Sequence, residues 1–305
     1  MKYSIIVPVY NGEKTIELLL EGILDAMKDL LNSIEVIFVH DCGPDGSKEV
    51  METLKKAYPE IVKAVYLTRN YGQHNALIAG MSIAKGAFII TLDEDLQHDP
   101  HDFMKLIAHQ KSGDFDVVYG TCKTLEHSSF RNITSRLMKR ILSIAIKDLH
   151  QDYAAFRIIK KEIAKKMTKM RNSYTFLDGY LSWITTNISS VEVAHNKRVA
   201  GESAYSMKKL IHHSLNIIFT FSNLPVRLLS ISSIFIFIMT LCYTMYIVLR
   251  KILLDDLAAG FPTVIISIGL GISLILLGIS ILGEYLFRVN LKTTKKPNYI
   301  VRDEK

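Results

Sequence analysis

The chain has little cysteine: three in 305 residues, Cys42, Cys122 and Cys242, far apart and with no CxxC spacing. That excludes a disulfide framework and a cysteine zinc site, and it fits a reducing compartment. A secretory leader is lacking too. Ser4-Ile5-Ile6-Val7-Pro8 is too short for a signal-peptide core, and polar Tyr10-Asn11-Gly12-Glu13-Lys14 follows at once, so the N-terminus is expected in the cytoplasm. There is no internal repeat or low-complexity tract, and Trp183 is the single tryptophan. Negative charge is in deficit, with 30 Asp and Glu against 37 Lys and Arg, a net charge of +7. Apolar residues, by contrast, reach 49% with a mean hydropathy of +0.20, oily for a soluble enzyme and too polar for a protein made wholly of spans. The expectation is a soluble domain carrying a membrane piece. Nine Lys/Arg against five Asp/Glu lie in the oily stretch from residue 226 onward, so the positive excess gathers where a membrane surface would meet it. The remainder is nearly charge-balanced, which disfavours nucleic-acid binding.

Short runs rich in β-branched residues, Ile34–Val39, Ala64–Leu67, Ala87–Leu92 and Asp116–Tyr119, read as buried strands. Between them Glu13–Leu30, Ser47–Ala57, Gln73–Ala84 and Pro100–Ser112 carry apolar residues three and four apart and read as helices. Alternation of this kind predicts an α/β fold, a mostly parallel sheet with helices on both faces, over residues 1–205. Amphipathic basic segments follow at Phe130–Asp148 and Ser206–Leu224, the second suited to an interfacial helix within a juxtamembrane segment 206–227. Residues 228–305 then hold two uncharged runs, Leu228–Leu249 and Phe261–Leu282. Each has roughly 22 residues, about 33 Å of helix against a hydrocarbon core of ~30 Å. Arg250 and Lys251 in the connecting loop are outnumbered by Lys208, Lys209 and Arg227 before the first run and Arg288, Lys292, Lys295, Lys296 and Arg302 after the second. The positive-inside rule therefore predicts a multi-pass membrane protein with the large domain and both termini cytoplasmic.

The most informative stretch is Thr91-Leu92-Asp93-Glu94-Asp95-Leu96-Gln97-His98-Asp99-Pro100, an apolar strand running into acids. Ligands of open α/β sheets bind at such strand ends. Continued strand alternation would put Asp93, Asp95 and Gln97 on one side, oxygen donors for Mg²⁺ or Mn²⁺ with positions left open for a diphosphate. An acid cluster at a helix N-terminus explains Asp99 but poorly explains Asp93. His98 and His101 lack the further ligands a zinc site needs. Polar tips also end the first strand, at Tyr10-Asn11-Gly12-Glu13, and the second, at Asp41-Cys42-Gly43-Pro44-Asp45, so three strand ends form one crevice.

Together with Arg69-Asn70-Tyr71-Gly72-Gln73-His74, Arg131-x-x-x-Ser135, Asp152-Tyr153 with Phe156-Arg157, Gly201-Glu202-Ser203 and Leu282-Gly283-Glu284-Tyr285, these motifs resemble the family 2 glycosyltransferases of the GT-A fold. Within them the chain is most similar to the polyprenyl-phosphate glycosyltransferases, such as dolichol-phosphate mannose synthase, bactoprenol glucosyltransferase and undecaprenyl-phosphate aminoarabinose transferase. The resemblance implies that Pro8, Tyr10, Glu13, Asp41 and Arg69 hold the nucleotide-sugar, that Asp93, Asp95 and Gln97 hold metal and diphosphate, and that Asp152 supports catalysis. It also implies that Lys123, Arg131, Ser135, Arg198 and Ser203 face the acceptor phosphate, as guanidinium chemistry favours. The chain departs from the pattern at His40, at Cys42-Gly43 where Gly-Ser is usual, at Gly12, whose common Glu is replaced by Glu13 one residue on, and at Ala154-Ala155.

The implied reaction is inverting transfer of one sugar from a nucleotide-sugar, with a UDP-sugar as leading donor, to undecaprenyl or another polyprenyl phosphate, for cell-envelope glycan or lipopolysaccharide modification. The acceptor phosphate is largely ionised near neutral pH (second pKa ~6) and needs little general-base help. A processive polysaccharide synthase is the enzyme alternative, disfavoured because Trp183 follows Tyr180-Leu181-Ser182 rather than completing a Gln-x-x-Arg-Trp motif. An inactive nucleotide-sugar-binding membrane scaffold is the non-enzyme alternative. Homo-oligomerisation and the identity of the sugar are left open.

Overall fold

A computed structural model describes residues 1–122, 140–172, 174–194, 196, 207–222, 261–293 and 297–302, with single helical positions between 228 and 253. Seven strands form one sheet: β1 (Tyr3–Val9), β2 (Ile34–His40), β3 (Val62–Tyr66), β4 (Phe88–Thr91), β5 (Val117–Thr121), β6 (Arg157–Lys160) and β7 (Ile188–Glu192). Their spatial order is β3-β2-β1-β4-β6-β5-β7. β1 pairs in parallel with β2 and β4, β2 with β3, and β5 with β7. Among the described strands the two ladders made by β6 are antiparallel and the other four parallel, so the sheet is mixed and, as expected, mostly parallel. Helices α1 (Ile16–Ala26), α2 (Ser47–Ala57), α3 (Gln73–Ile83), α4 (Phe103–Gly113), α5 (Lys161–Thr168) and α6 (Leu177–Ile184) cover it.

β1 and β2 are buried at every position, which is why their sequences are apolar on both pleat faces. Alternate residues serve opposite cores. Ile5, Val7 and Val9 pack with Ile16, Leu19, Leu20 and Ile23 of α1, a spacing that makes one helical stripe. Ile6 packs instead with Ala76, Leu77 and Ala79 of α3. Glu35 and His40 are the polar exceptions in β2; Glu35, fully buried, accepts hydrogen bonds from Ser4 Oγ (2.6 Å) and Lys85 N (2.6 Å) and pairs with Lys63. Burial pushes the Glu35 pKa up, but the bonds from Lys63, Ser4 and Lys85 outweigh that and leave it below the ordinary value.

Parallel strands β1 to β4 end at one edge of the sheet, and β6 starts there, with Arg157 opposite Thr91. That edge holds the site. The Phe130–Asp148 segment is helical over 140–145, its earlier part lying outside the described residues. Ser206–Leu224 folds as α7 (Met207–Phe221), and α8 (Phe261–Thr293) follows. Phe221 packs on Phe176, Tyr180 and Trp183 of the main domain. Tyr285 of α8 donates to Ser222 O (2.9 Å), and Arg288 reaches Thr220 Oγ1 (3.0 Å), Asn216 Oδ1 (3.2 Å) and Glu284. Residues after α8 return to the sheet, where Val301 bridges Leu67 beyond the end of β3. Most of Leu228–Leu249 lies outside the described residues, and among the described residues no helix is long and apolar enough to cross a membrane.

Candidate active site

The ends of β1 and β2 are pressed together. A Cβ on Gly43 would lie 1.6 Å from Tyr10 O, so only glycine fits there. Cys42 before it sits at φ 56°, the left-handed region that glycine would occupy without strain. Glu13 and Asp45 lock the two loops reciprocally: Glu13 N donates to Asp45 Oδ2 (3.0 Å) and Gly46 N to Glu13 Oε2 (3.2 Å). Pro8 is buried opposite Val39, while Tyr10 projects into solvent, 40% exposed.

Asp41 ends this ladder as a buried carboxylate. It accepts the backbone N–H groups of Tyr71 (2.7 Å) and Gly72 (2.8 Å), and burial outweighs those bonds to hold its pKa above the ordinary aspartate value. The Thr68–Gly72 loop is thereby fastened over β2, with exposed Arg69 stacked 4.6 Å above the Tyr71 ring. At the loop's end Gln73 Nε2 donates to Asp93 Oδ1 at 2.5 Å. Asp41, Arg69 and Asp93, widely separated in sequence, are brought into one continuous network.

The acid segment is not an extension of the strand. β4 stops at Thr91 and residues 94–96 turn, with Leu96 at φ 60°, so side-chain alternation does not set the directions of Asp93, Asp95 and Gln97. The turn does so through local bonds, Gln97 N donating to Asp95 Oδ1 at 3.1 Å. Glu94, passed over in the sequence reading, points back to the β1 loop and accepts Tyr10 N and Asn11 N, each at 3.1 Å. A Cβ on Gly12 would meet its carboxylate at 2.4 Å. Burial raises the Glu94 pKa against those two bonds, and the charges of Asp45 and Asp95 add to the rise. Glu94 thus pins the acid turn to the β1 loop.

Among the described residues no three His, Cys, Asp or Glu side chains form a metal cage. Asp93, Asp95 and Gln97 offer two carboxylates and an amide, a donor set that suits Mg²⁺ or Mn²⁺ sharing its shell with phosphate oxygens. His98 stacks on Phe156 at 5.0 Å and His101 bonds Asp99 and Asp25, which uses both in roles other than a zinc pair.

Asp152 is exposed and accepts Ser190 Oγ from β7 at 3.1 Å. Behind it lies a buried pair the sequence did not reveal: Arg157 Nη1 is 2.5 Å from Asp178 Oδ1 of α6, and Tyr119 OH donates to the same oxygen at 2.8 Å. Burial and the Asp178 charge hold the Tyr119 phenol protonated well above its ordinary range. Lys123, Arg131, Ser135, Arg198 and Ser203, expected around the acceptor phosphate, all lie outside the described residues.

The chain matches the family described as Glycosyl transferase family 2 over residues 4–171, and it belongs to that family. Curated relatives cover nearly all of it. An uncharacterized glycosyltransferase, YkcC, of Bacillus subtilis is 30% identical over 99% of this chain and 94% of its own length. The undecaprenyl-phosphate 4-deoxy-4-formamido-L-arabinose transferase of Proteus mirabilis is 31% identical over 99% and 93%. The bactoprenol glucosyl transferase of Shigella phage SfX is 26% identical over 100% of both. The fold is shared with solved structures: a mannosyltransferase from Pyrobaculum calidifontis in complex with GDP-Man and Mn²⁺ (TM-score 0.54, 15% identity, 72% of this chain and 63% of that one) and S. aureus TarS 1–349 in complex with UDP-GlcNAc (TM-score 0.51, 20% identity, 72% and 66%). The chain spans less than two thirds of either solved chain's length. The GT-A-like sheet and the family membership expected from the motifs are both borne out.

Proposed function

We propose that this protein transfers a single sugar, with inversion, from a nucleotide diphosphate sugar to undecaprenyl or another polyprenyl phosphate at the cytoplasmic face of a bacterial inner membrane. The observation that carries the donor half is the network joining Asp41, the Arg69–Gln73 loop, Asp93 and, through Glu94, the β1 loop at one sheet edge. The undecaprenyl-phosphate and bactoprenol transferases among the chain's relatives support the acceptor half.

In this reading Pro8, Tyr10, Glu13, Asp41 and Arg69 bind the nucleotide-sugar, a UDP-sugar first. Asp95 and Gln97, beside Asp93, would hold Mg²⁺ or Mn²⁺, and the cation supplies neutralising charge for the leaving diphosphate. The acceptor phosphate attacks the anomeric carbon from the face opposite that diphosphate. Lys123, Arg131, Ser135, Arg198 and Ser203 orient it, so positioning and charge carry the step, and Asp152 supports it.

Membrane attachment is supported by a row of apolar side chains left largely exposed. Val264, Ile268, Ile272, Ile275, Ile279 and Leu282 of α8 are each more than half exposed, at three- and four-residue spacing. The pairing of the C-terminal tail with β3 supports an even number of crossings between α7 and residue 297. A hairpin of two spans is the simplest such path.

The test is transfer in proteoliposomes containing undecaprenyl phosphate, offered radiolabelled UDP-, GDP- and dTDP-sugars. One organic-extractable monosaccharyl lipid is expected. A growing polymer would favour the processive synthase, and nucleotide binding without turnover the inactive scaffold.

A further inference from the structure

The residues after α8 do more than end the chain. Arg302 N donates to Tyr66 O at 2.7 Å, Thr68 N to Ile300 O at 3.0 Å, and Val301 bridges Leu67 in antiparallel sense. Asn298 Nδ2 anchors the tail on Met170 O at 3.0 Å, and Tyr299 packs against the core on the α3 face. The tail is therefore held on the edge of the sheet by a single antiparallel bridge flanked by two backbone bonds, laid at the point where β3 becomes the Thr68–Gly72 loop.

That loop touches the donor pocket at every step. Ile300 O also lies 3.4 Å from Thr68 Oγ1, Thr68 Oγ1 lies 3.0 Å from Tyr71 OH, and Tyr71 N donates to Asp41. Two residues on, Gln73 bonds Asp93. The path from tail to carboxylates alternates hydrogen bonds with short covalent links, through Tyr71 to Asp41 and along the backbone to Gln73.

We infer that the segment Asn298–Arg302 is a positioning strap for the nucleotide-sugar pocket: its pairing with Tyr66–Thr68 fixes the loop whose N–H groups hold Asp41 and whose Gln73 holds Asp93. An unstrapped loop must be ordered by the donor itself, and that ordering lowers apparent affinity. The strap follows α8 within a few residues of sequence, so the helix assigned to the membrane lies next to it along the chain. This inference rests on the donor-pocket reading above, and the experiment separates the two.

Arg302→Pro removes the N–H that Tyr66 O accepts, while Arg302→Ala keeps it. In full-length protein in liposomes, Arg302→Pro is expected to raise the KM for the sugar nucleotide about tenfold, equivalent to ~1.4 kcal/mol, with the KM for undecaprenyl phosphate unchanged and Arg302→Ala restoring the wild-type value. Thr68→Val, which keeps the shape and cuts the hydroxyl link between Ile300 O and Tyr71 OH, is expected to shift the same KM in the same direction. Amide hydrogen exchange at Tyr71 and Gly72 reads the strap without any nucleotide, and about tenfold faster exchange is expected in Arg302→Pro. Unchanged exchange at those two amides, or equal rises in both KM values, would overturn the strap. Failure of the wild type to bind UDP, GDP or dTDP, with the exchange difference present, would overturn the donor pocket instead.

Discussion

Glu94 and Tyr10 meet across the mouth of the crevice, the carboxylate accepting the Tyr10 backbone N–H at 3.1 Å, 84 residues away in sequence. Asn11 N shares the same acceptor, so one half-buried carboxylate joins the acid turn to the loop assigned to the nucleotide. Glu94→Ala leaves two N–H groups to solvent, each costing less than the ~1–3 kcal/mol of a fully buried group, and frees the loop they belong to. The expected result is a donor KM raised tenfold or more, about 1.4 kcal/mol, with the acceptor KM near the wild-type value. Steady-state kinetics with each substrate varied in turn checks it.

Asp178→Ala strands the guanidinium of Arg157, which is 2% exposed. Breaking one partner of such a pair costs about 3–5 kcal/mol, whereas Arg157→Met with Asp178→Leu and Tyr119→Phe, which also removes the phenol hydroxyl bonded to Asp178, restores an apolar contact and recovers most of it. Thermal unfolding of the two variants in detergent should separate them clearly. Equal destabilisation of both would contradict this account of the pair.

Glu35 sets part of the acid limit of stability. Its folded pKa is below the ordinary value, so its contribution is full above the unfolded value near ~4.3 and is lost as pH falls through the lower folded one. Glu35→Gln should flatten stability against pH in that window. Melting temperatures measured from pH 6 downward, in wild type and variant, test the sign.

Trp183, 48% exposed, reports on the membrane because the chain has no other tryptophan. Its ring lies 4.7 Å from Phe221, and the next residue, Ser222, accepts the Tyr285 hydroxyl just beyond the apolar run of α8. Tryptophan and tyrosine gather at that level of a bilayer. In liposomes the emission should move to the blue and be quenched by brominated acyl chains. An unquenched, water-like spectrum would argue against attachment through this face.

Much of this was legible in the chain because the relevant physics is local. Buried parallel strands need apolar runs, so β1, β2 and the apolar run of β4 could be read, and with them the acids Asp41 and Asp93 that follow β2 and β4. β6 and β7 escaped notice because Arg157–Lys160 is only a few residues long and Ile188-Ser189-Ser190-Val191-Glu192 has no strong apolar pattern. Glu94 was missed because the acid segment was read as extended strand, and a leucine at positive φ, which reverses that assumption at Leu96, leaves no compositional mark. Asp178 and the tail strap depend on contacts between distant segments, Asp178 with Arg157 and Arg302 with Tyr66, which no spacing rule encodes.

The central claim is that a lipid-linked phosphate is the nucleophile. The most direct measurement compares undecaprenyl phosphate with undecaprenol as acceptors for one labelled sugar nucleotide, using wild-type protein and Asp95→Ala with Mn²⁺ present. The account predicts label in a single monosaccharyl phospholipid from the phosphate alone, with none from the alcohol and little from the variant. Equal labelling of the alcohol, or near-normal turnover by Asp95→Ala, would contradict it.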